Sequence, residues 1–168
     1  MTIDAGLVDR ARGGDRDAFA VLVRQHDPML RALAFRMLGD RHAMDDALQD
    51  AYLRAFRSIE SFRGGSAIAT WLYRIVYTSC IDQLRRRRPL EELSDLPARH
   101  ETIDEGIDLA RAMSELTPQH RAAVMLVDAQ GFSYDEAARI TGVPAGTVKS
   151  RLSRAHRILR DSLGGENK

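Results

Sequence analysis

The sequence predicts an all-α protein. Hydrophobic residues make up 44% and charged residues 29% of the 168 residues, the balance of a soluble helical chain. Only five prolines and twelve glycines interrupt it. No run of alternating β-branched residues appears, and apolar residues instead recur at three- and four-residue spacing.

Composition also limits the chemistry. A single cysteine, Cys80, cannot form an internal disulfide, and His26, His42, His100, His120 and His156 are scattered rather than spaced as metal ligands. Phosphate-cradling glycine motifs and the nucleophile elbow are absent, so neither a cofactor nor an enzymatic activity is expected. No apolar run approaches the roughly 18–20 residues of a membrane span. Met1-Thr2-Ile3-Asp4 lacks the basic and apolar stretches of a secretory signal, and a cytoplasmic placement is expected.

The formal net charge of +1 argues at first against nucleic acid. Its distribution reverses that impression. Residues 1–60 sum to −1, 61–90 to +5, 91–116 to −6 and 117–168 to +3. Two basic patches flanking an acidic segment suggest two separate anionic contacts.

The elements follow in order. Asp15 to Asp17 can cap a first helix with Phe19, Leu22 and Val23 on its apolar face. Pro28 is expected to open a second, carrying Leu30, Leu33, Ala34, Met37 and Leu38, and Gly39 to end it. A third spans about His42 to Ile59, with Met44, Ala47, Leu48, Ala51, Ala55 and Phe56 inward. Its polar face presents Asp45, Asp46, Gln49, Asp50 and Arg54, which periodicity alone reads as a solvated surface.

A Gly64-Gly65 loop then leads into a helix with Trp71, Tyr73 and Tyr77, followed by Asp82 and the run Arg85–Arg88. Aromatic rings beside arginines suit the stacking and phosphate contacts of single-stranded nucleic acid. Packing of Trp71 against Ile75 in a core is the competing explanation, and arginines also complement a helix C-terminus.

Pro89 to Thr102 contains two prolines and no sustained helical period, which reads as a linker. The chain therefore divides into residues 1–88, an acidic linker at 89–110, and 111–168. In the last part, Thr117-Pro118 starts a helix running to Gly131, and Ser133 to Glu136 forms a capping box. Ala138, Gly142 and Val148 have the spacing of a helix-turn-helix: a small residue, a turn glycine and a locking apolar residue. The second helix, from Pro144 to about Leu163, buries Val148, Leu152, Ala155 and Leu159. Thr147, Lys149, Ser150, Arg151, Ser153, Arg154 and Arg157 are left outside, and residues 141–160 hold no acid. Such a face can enter the major groove of duplex DNA.

Together these segments resemble the extracytoplasmic-function class of bacterial sigma-70 factors. Asp45 to Arg57 resembles region 2.2; Thr70 to Ile75 with Asp82 and its arginines resembles regions 2.3–2.4. Leu116 to Arg121, Gly131 to Ala138 and Gly146 to Arg151 resemble region 4, and no segment corresponds to regions 1.1 or 3. Asp128-Ala129-Gln130-Gly131 is similar to an actinobacterial subgroup.

The resemblance implies two small helical domains and a promoter-specificity subunit without catalytic residues. Asp46, Gln49, Asp50, Leu53 and Arg54 would dock on the β′ clamp of core RNA polymerase, replacing the solvated-surface reading. Ser66, Trp71, Tyr73, Arg74 and Tyr77 would take the unpaired −10 strand, with Arg85 and Arg86 on its backbone. Thr147, Lys149, Ser150, Arg151 and Arg154 would read the −35 duplex. The linker would thread toward the active centre, and an anti-sigma factor is an expected partner. Tyr77 and Thr78 stand where many members carry Arg and Asn, and Val127 where Arg is common. An ordinary helix-turn-helix regulator with a sensing or dimerising N-terminal part is the alternative, separable by dependence on core polymerase.

Overall fold

The computed structural model describes residues 5–91 and 107–164, and every regular element among them is helical. Residues 92–106, most of the expected acidic linker, lie outside the described residues.

Helix α1 (Ala5–Arg12) precedes α2 (Arg16–Leu38). Asp15 caps α2, its Oδ1 accepting from the N–H groups of Asp17 and Ala18 at 3.0 Å each. The expected break at Pro28 does not occur, and α2 runs through it. An internal proline forfeits one backbone hydrogen bond and clashes with the preceding turn, at about 3 kcal/mol. On the other side of the balance, Leu22, Leu30, Leu33 and Met37 are all buried along one stripe. Full burial of each such side chain contributes roughly 1.5–3 kcal/mol, so the tertiary stripe outweighs the local breaker. Gly39 closes the helix in the left-handed region, φ 66°, its N–H reaching the Phe35 carbonyl at 2.7 Å.

Helix α3 (Arg41–Ser58) is capped by Asp40, whose Oδ1 accepts from Ala43 N–H at 2.7 Å, and ends in a 3₁₀ turn at Ile59–Ser61. Ala43, Ala47, Leu48, Ala51 and Ala55 are buried; Met44 and Phe56, expected inside, are only partly covered. The alanine-rich stripe lets α3 lie close to α2 and α4 (Ile68–Glu91). Asp40 also pairs with Arg87 at 3.3 Å, tying the start of α3 to the last turns of α4.

The C-terminal half starts with α5 (Ile107–Ser114), which the sequence reading did not anticipate. Thr117 caps α6 (Pro118–Ala123), its hydroxyl accepting from His120 N–H at 3.3 Å. Instead of one regular helix up to Gly131, Val124–Ala129 widens into a π-helical turn, with Gln130 N–H on the Met125 carbonyl at 3.0 Å. The wider turn accompanies burial of the adjacent Met125 and Leu126. Helices α7 (Tyr134–Thr141) and α8 (Ala145–Gly164) form the helix-turn-helix.

The two halves are packed on one another. Helix α4 lies against α7 and α2 against α6, and buried residues of both halves belong to one continuous apolar cluster. No helix among the described residues is long and apolar enough to cross a membrane.

Candidate nucleic-acid and protein interface

Three surfaces carry the residues singled out by the sequence. The first is the outer face of α3. Asp46 and Gln49 are exposed there, and Leu53 is 50% exposed. Beside Leu53 runs a groove of about 670 Å³ floored by Phe19, Leu48, Tyr52 and Phe56 and rimmed by Arg16, Arg31, Asp45 and Gln49. The Phe19 and Phe56 rings meet edge to face with centroids 5.2 Å apart. Arg31 holds the rim by bonding Asp27 and Asp45 at 2.9 Å each, and the Tyr52 hydroxyl donates to Asp27 at 2.6 Å. An apolar trough with a charged rim and an exposed leucine can accept an amphipathic helix from another protein.

Asp50 and Arg54 behave differently from their neighbours. Arg54 bonds Asp50 at 2.8 Å and Asp82 of α4 at 2.9 Å, and Ser79 donates to Asp50 at 3.4 Å. Their charges are largely committed to holding α3 on α4. Tyr52 and Phe56 enter the groove although sequence reasoning passed over the first and placed the second in the core. The pairing of Phe56 with Phe19, from another helix, has no local sequence signal.

The second surface lies at the start of α4. A cavity of about 310 Å³ brings together Ser66, Trp71 and Arg74 with Arg63, Thr70 and Arg139. Trp71 leans on Phe62, ring centroids 5.5 Å apart, and also borders a second cavity of about 240 Å³ shared with Arg74 and Thr78. The Thr70 hydroxyl is buried without a hydrogen-bond partner. Arg63 and Arg74 form no ion pair among the described residues. A ring, unpaired guanidinium groups and a free hydroxyl around one hollow suit a flipped base and its phosphates.

Tyr73 and Tyr77 do not face this hollow. Tyr73 is 3% exposed, its ring 4.9 Å from that of Phe132 and its hydroxyl donating to Gln130 Oε1 at 3.0 Å. Burial pushes its phenol up to about 12. Burial raises the Tyr77 phenol as well, opposed by the positive charge of nearby Arg151. Arg85 and Arg86 are exposed on later turns of α4, beyond the cavity. Thr78 is exposed and bonds the Arg74 carbonyl at 2.8 Å, while Val127 is partly buried. Cys80 is fully buried, which pushes its thiol up to about 12 and leaves it inert.

The third surface is the helix-turn-helix. Gly142 has φ 71° with nothing within 4 Å of a Cβ placed there, so backbone conformation rather than space requires glycine. The small residue at full burial is Ala137; Ala138 is only partly covered and gives its carbonyl to Gly142 N–H at 2.8 Å. Val148, Leu152 and Ala155 are buried beneath α8, with Leu159 partly so. Lys149, Ser150 and Arg154 are exposed, and Thr147 and Arg151 half-buried. Burial first, then the nearby Arg154 and Arg151, lowers the His120 imidazole and favours its neutral form. Among the described residues no three potential metal ligands gather.

The capping box is formed in both directions: Glu136 N–H bonds Ser133 Oγ at 3.2 Å, and Glu136 Oε2 accepts from Ser133 N–H at 2.9 Å. The Ser133 backbone donor, then its hydroxyl, holds the Glu136 carboxyl below its ordinary value. A depressed folded-state value means stability present above the unfolded pKa and lost as pH falls through the folded one. Glu136→Gln is therefore expected to cost about 0.3–1 kcal/mol near neutrality. The gap to wild type should close below about pH 4, read by urea unfolding at several pH values. A gap independent of pH would remove the carboxylate from the cap.

The bundle-plus-helix-turn-helix arrangement is matched by known families. Residues 22–89 match Sigma-70 region 2 and residues 107–159 match Sigma-70, region 4. These matches place the architecture in the sigma-70 superfamily, whose regions appear here in the expected order. The ECF RNA polymerase sigma factor SigM of Mycobacterium tuberculosis is 42% identical over 166 residues, covering 96% of this chain and 85% of that one. The ECF RNA polymerase sigma-E factor of Escherichia coli is 32% identical, with 95% and 94% covered. Among solved structures, the sigma factor RpoE in complex with the anti-sigma factor NepR from Bartonella quintana has TM-score 0.73 at 31% identity, covering 89% of this chain and 98% of that one. The chain belongs to the extracytoplasmic-function class of RNA polymerase sigma factors, the subunits that direct promoter-specific initiation.

Proposed function

We propose that three surfaces divide the work of initiation. The α3 groove lined by Gln49 and Leu53, with Asp46 exposed on the same helix face and Asp50 and Arg54 bracing α3 on α4, seats the β′ clamp of core polymerase. The cavity of Ser66, Trp71 and Arg74 takes an unpaired −10 base, with Arg85 and Arg86 on the strand backbone. Thr147, Lys149, Ser150, Arg151 and Arg154 read the −35 duplex. On this reading residues 1–88 and 111–168 are the functional units, and 89–110 spans them. The chain performs no catalysis of its own, acts in the cytoplasm, and is held by an anti-sigma factor until released.

The observation that carries this reading is Leu53, half exposed beside an apolar groove on a helix otherwise rich in charge. Apolar surface of this kind is a protein-docking feature, and recognition of duplex DNA by α8 does not need it. The test is in vitro transcription with core RNA polymerase on a promoter library. Discrete start sites that require both the chain and core are expected. DNA binding with no core-dependent initiation would instead identify a helix-turn-helix regulator.

A further inference from the structure

We propose that Arg16 is a further docking residue for core RNA polymerase. It meets an acidic side chain on the helix seated in the α3 groove and, with an anionic cluster at the far end of that groove, fixes the direction in which the helix lies. The inference rests on the assignment of the groove to the clamp given above.

The groove follows α2 and α3, which run antiparallel. Arg31 meets Asp45, Asp27 meets Tyr52 and Phe19 meets Phe56, so later residues of one helix face earlier residues of the other. Arg16 and Arg31 both line the groove and stand toward its opposite ends. They are fifteen residues apart on α2, about 22 Å along the helix axis.

The two ends differ in charge. At one, Arg31 bonds Asp27 and Asp45 at 2.9 Å each, and the Tyr52 hydroxyl donates to Asp27 at 2.6 Å. Two carboxylates share one guanidinium there, and the Asp45 side chain is 59% exposed, so that end is net negative. At the other end Arg16 is exposed and forms no ion pair among the described residues. Phe19, Leu48 and Phe56 make the stretch between them apolar.

Arg16 also stands against the local preference of its helix. It is the first residue of α2, where the macrodipole disfavours a cation. The neighbouring Asp15 does not compensate it. One Asp15 oxygen takes backbone N–H groups and the other takes Arg10 at 2.6 Å. An unpartnered cation that opposes the helix dipole at the mouth of an apolar groove is a local rule broken where function is expected. A helix lying in the groove excludes water from the rim and strengthens a pair between Arg16 and a carboxylate. The partner is therefore an amphipathic helix of about four turns or more. Its acidic residue sits at the Arg16 end, and its positive N-terminus or a basic residue sits at the Asp45 end. Reversed, the same helix would bring like charges together at both ends.

The test measures equilibrium binding of the labelled full chain to core RNA polymerase without DNA. Arg16→Glu should weaken binding at least about tenfold. Its thermal stability should be unchanged or raised, because a carboxylate suits the start of a helix. Asp45→Lys, which leaves Arg31 on Asp27, should weaken binding several-fold, and the double variant should bind more weakly than either. Arg160→Glu, exposed near the end of α8, makes the same change in net charge and should bind as wild type. An Arg16→Glu chain that binds no worse than Arg160→Glu overturns the docking role. Recovery of wild-type affinity in the double variant overturns the fixed direction. Should Asp45→Lys unfold, the comparison of Arg16→Glu with Arg160→Glu decides. The clamp reading fails separately: Leu53→Asp with Gln49→Arg at full affinity would remove the groove as the seat. Loss of binding in that variant with Arg16→Glu unaffected would overturn the role of Arg16 alone.

Discussion

Replacing Leu53 by Asp and Gln49 by Arg is expected to abolish association with core RNA polymerase while leaving the helical content unchanged. Leu53 offers the largest apolar side chain exposed on α3, and its neighbour is a trough floored by two phenylalanines, a leucine and a tyrosine. Burying a leucine in such a site contributes roughly 1.5–3 kcal/mol. A carboxylate there would be desolvated without a partner, a larger penalty than loss of the contact. Centrally placed anchors commonly cost at least about 2 kcal/mol on truncation, some thirtyfold in affinity, and reversal of the adjacent polar position adds to it. Asp46→Arg should weaken binding further, because Asp46 is exposed and forms no ion pair among the described residues. Asp50 is a poor choice for the same experiment. Its carboxylate is bonded to Arg54 and Ser79, so reversal would place two cations together and loosen α3 from α4. Pull-down with core polymerase and thermal unfolding of the free chain separate the two effects. A variant that still co-purifies with core would dismiss the groove as the docking site.

The contrast between Leu53 and Asp50 shows where sequence reasoning stops. Both lie on the polar side of one helix, and no spacing rule distinguishes them. Only the position of Asp82 and Ser79 on α4 turns one into a brace and leaves the other free. Capping residues were legible because their partners lie within a few positions: Asp15 with Ala18, Thr117 with His120, Ser133 with Glu136, Gly142 with Ala138. The order of surfaces was legible too, since the motifs are local. Pro28 reads as a helix start because its cost is local, while the stripe that compensates for it packs against other helices. Spacing alone reads Tyr73 and Tyr77 as available rings; Phe132, which packs on Tyr73, and Arg151, whose charge acts on Tyr77, lie more than fifty residues away in sequence. Periodicity assigns a residue to a face but does not say what meets that face.

Arg154→Ala is expected to weaken binding to the −35 duplex by about 1–3 kcal/mol if the guanidinium pairs with a base edge, a loss of roughly five- to 150-fold. Val148, Leu152 and Ala155 anchor α8 from below, so the exposed positions keep their places when one of them is truncated. Discrimination should relax at a single base pair. Lys149→Ala, removing a simple cation, should instead weaken all sequences about equally and lower the salt dependence by about one counterion. Arg151→Ala should weaken binding to the same duplex within the same range if its half-buried guanidinium reaches a base edge. The comparison needs anisotropy titrations of a promoter duplex taken from the library, across a salt series, with free chain and holoenzyme. Unchanged binding by both arginine variants in the holoenzyme would remove this face of α8 from the duplex.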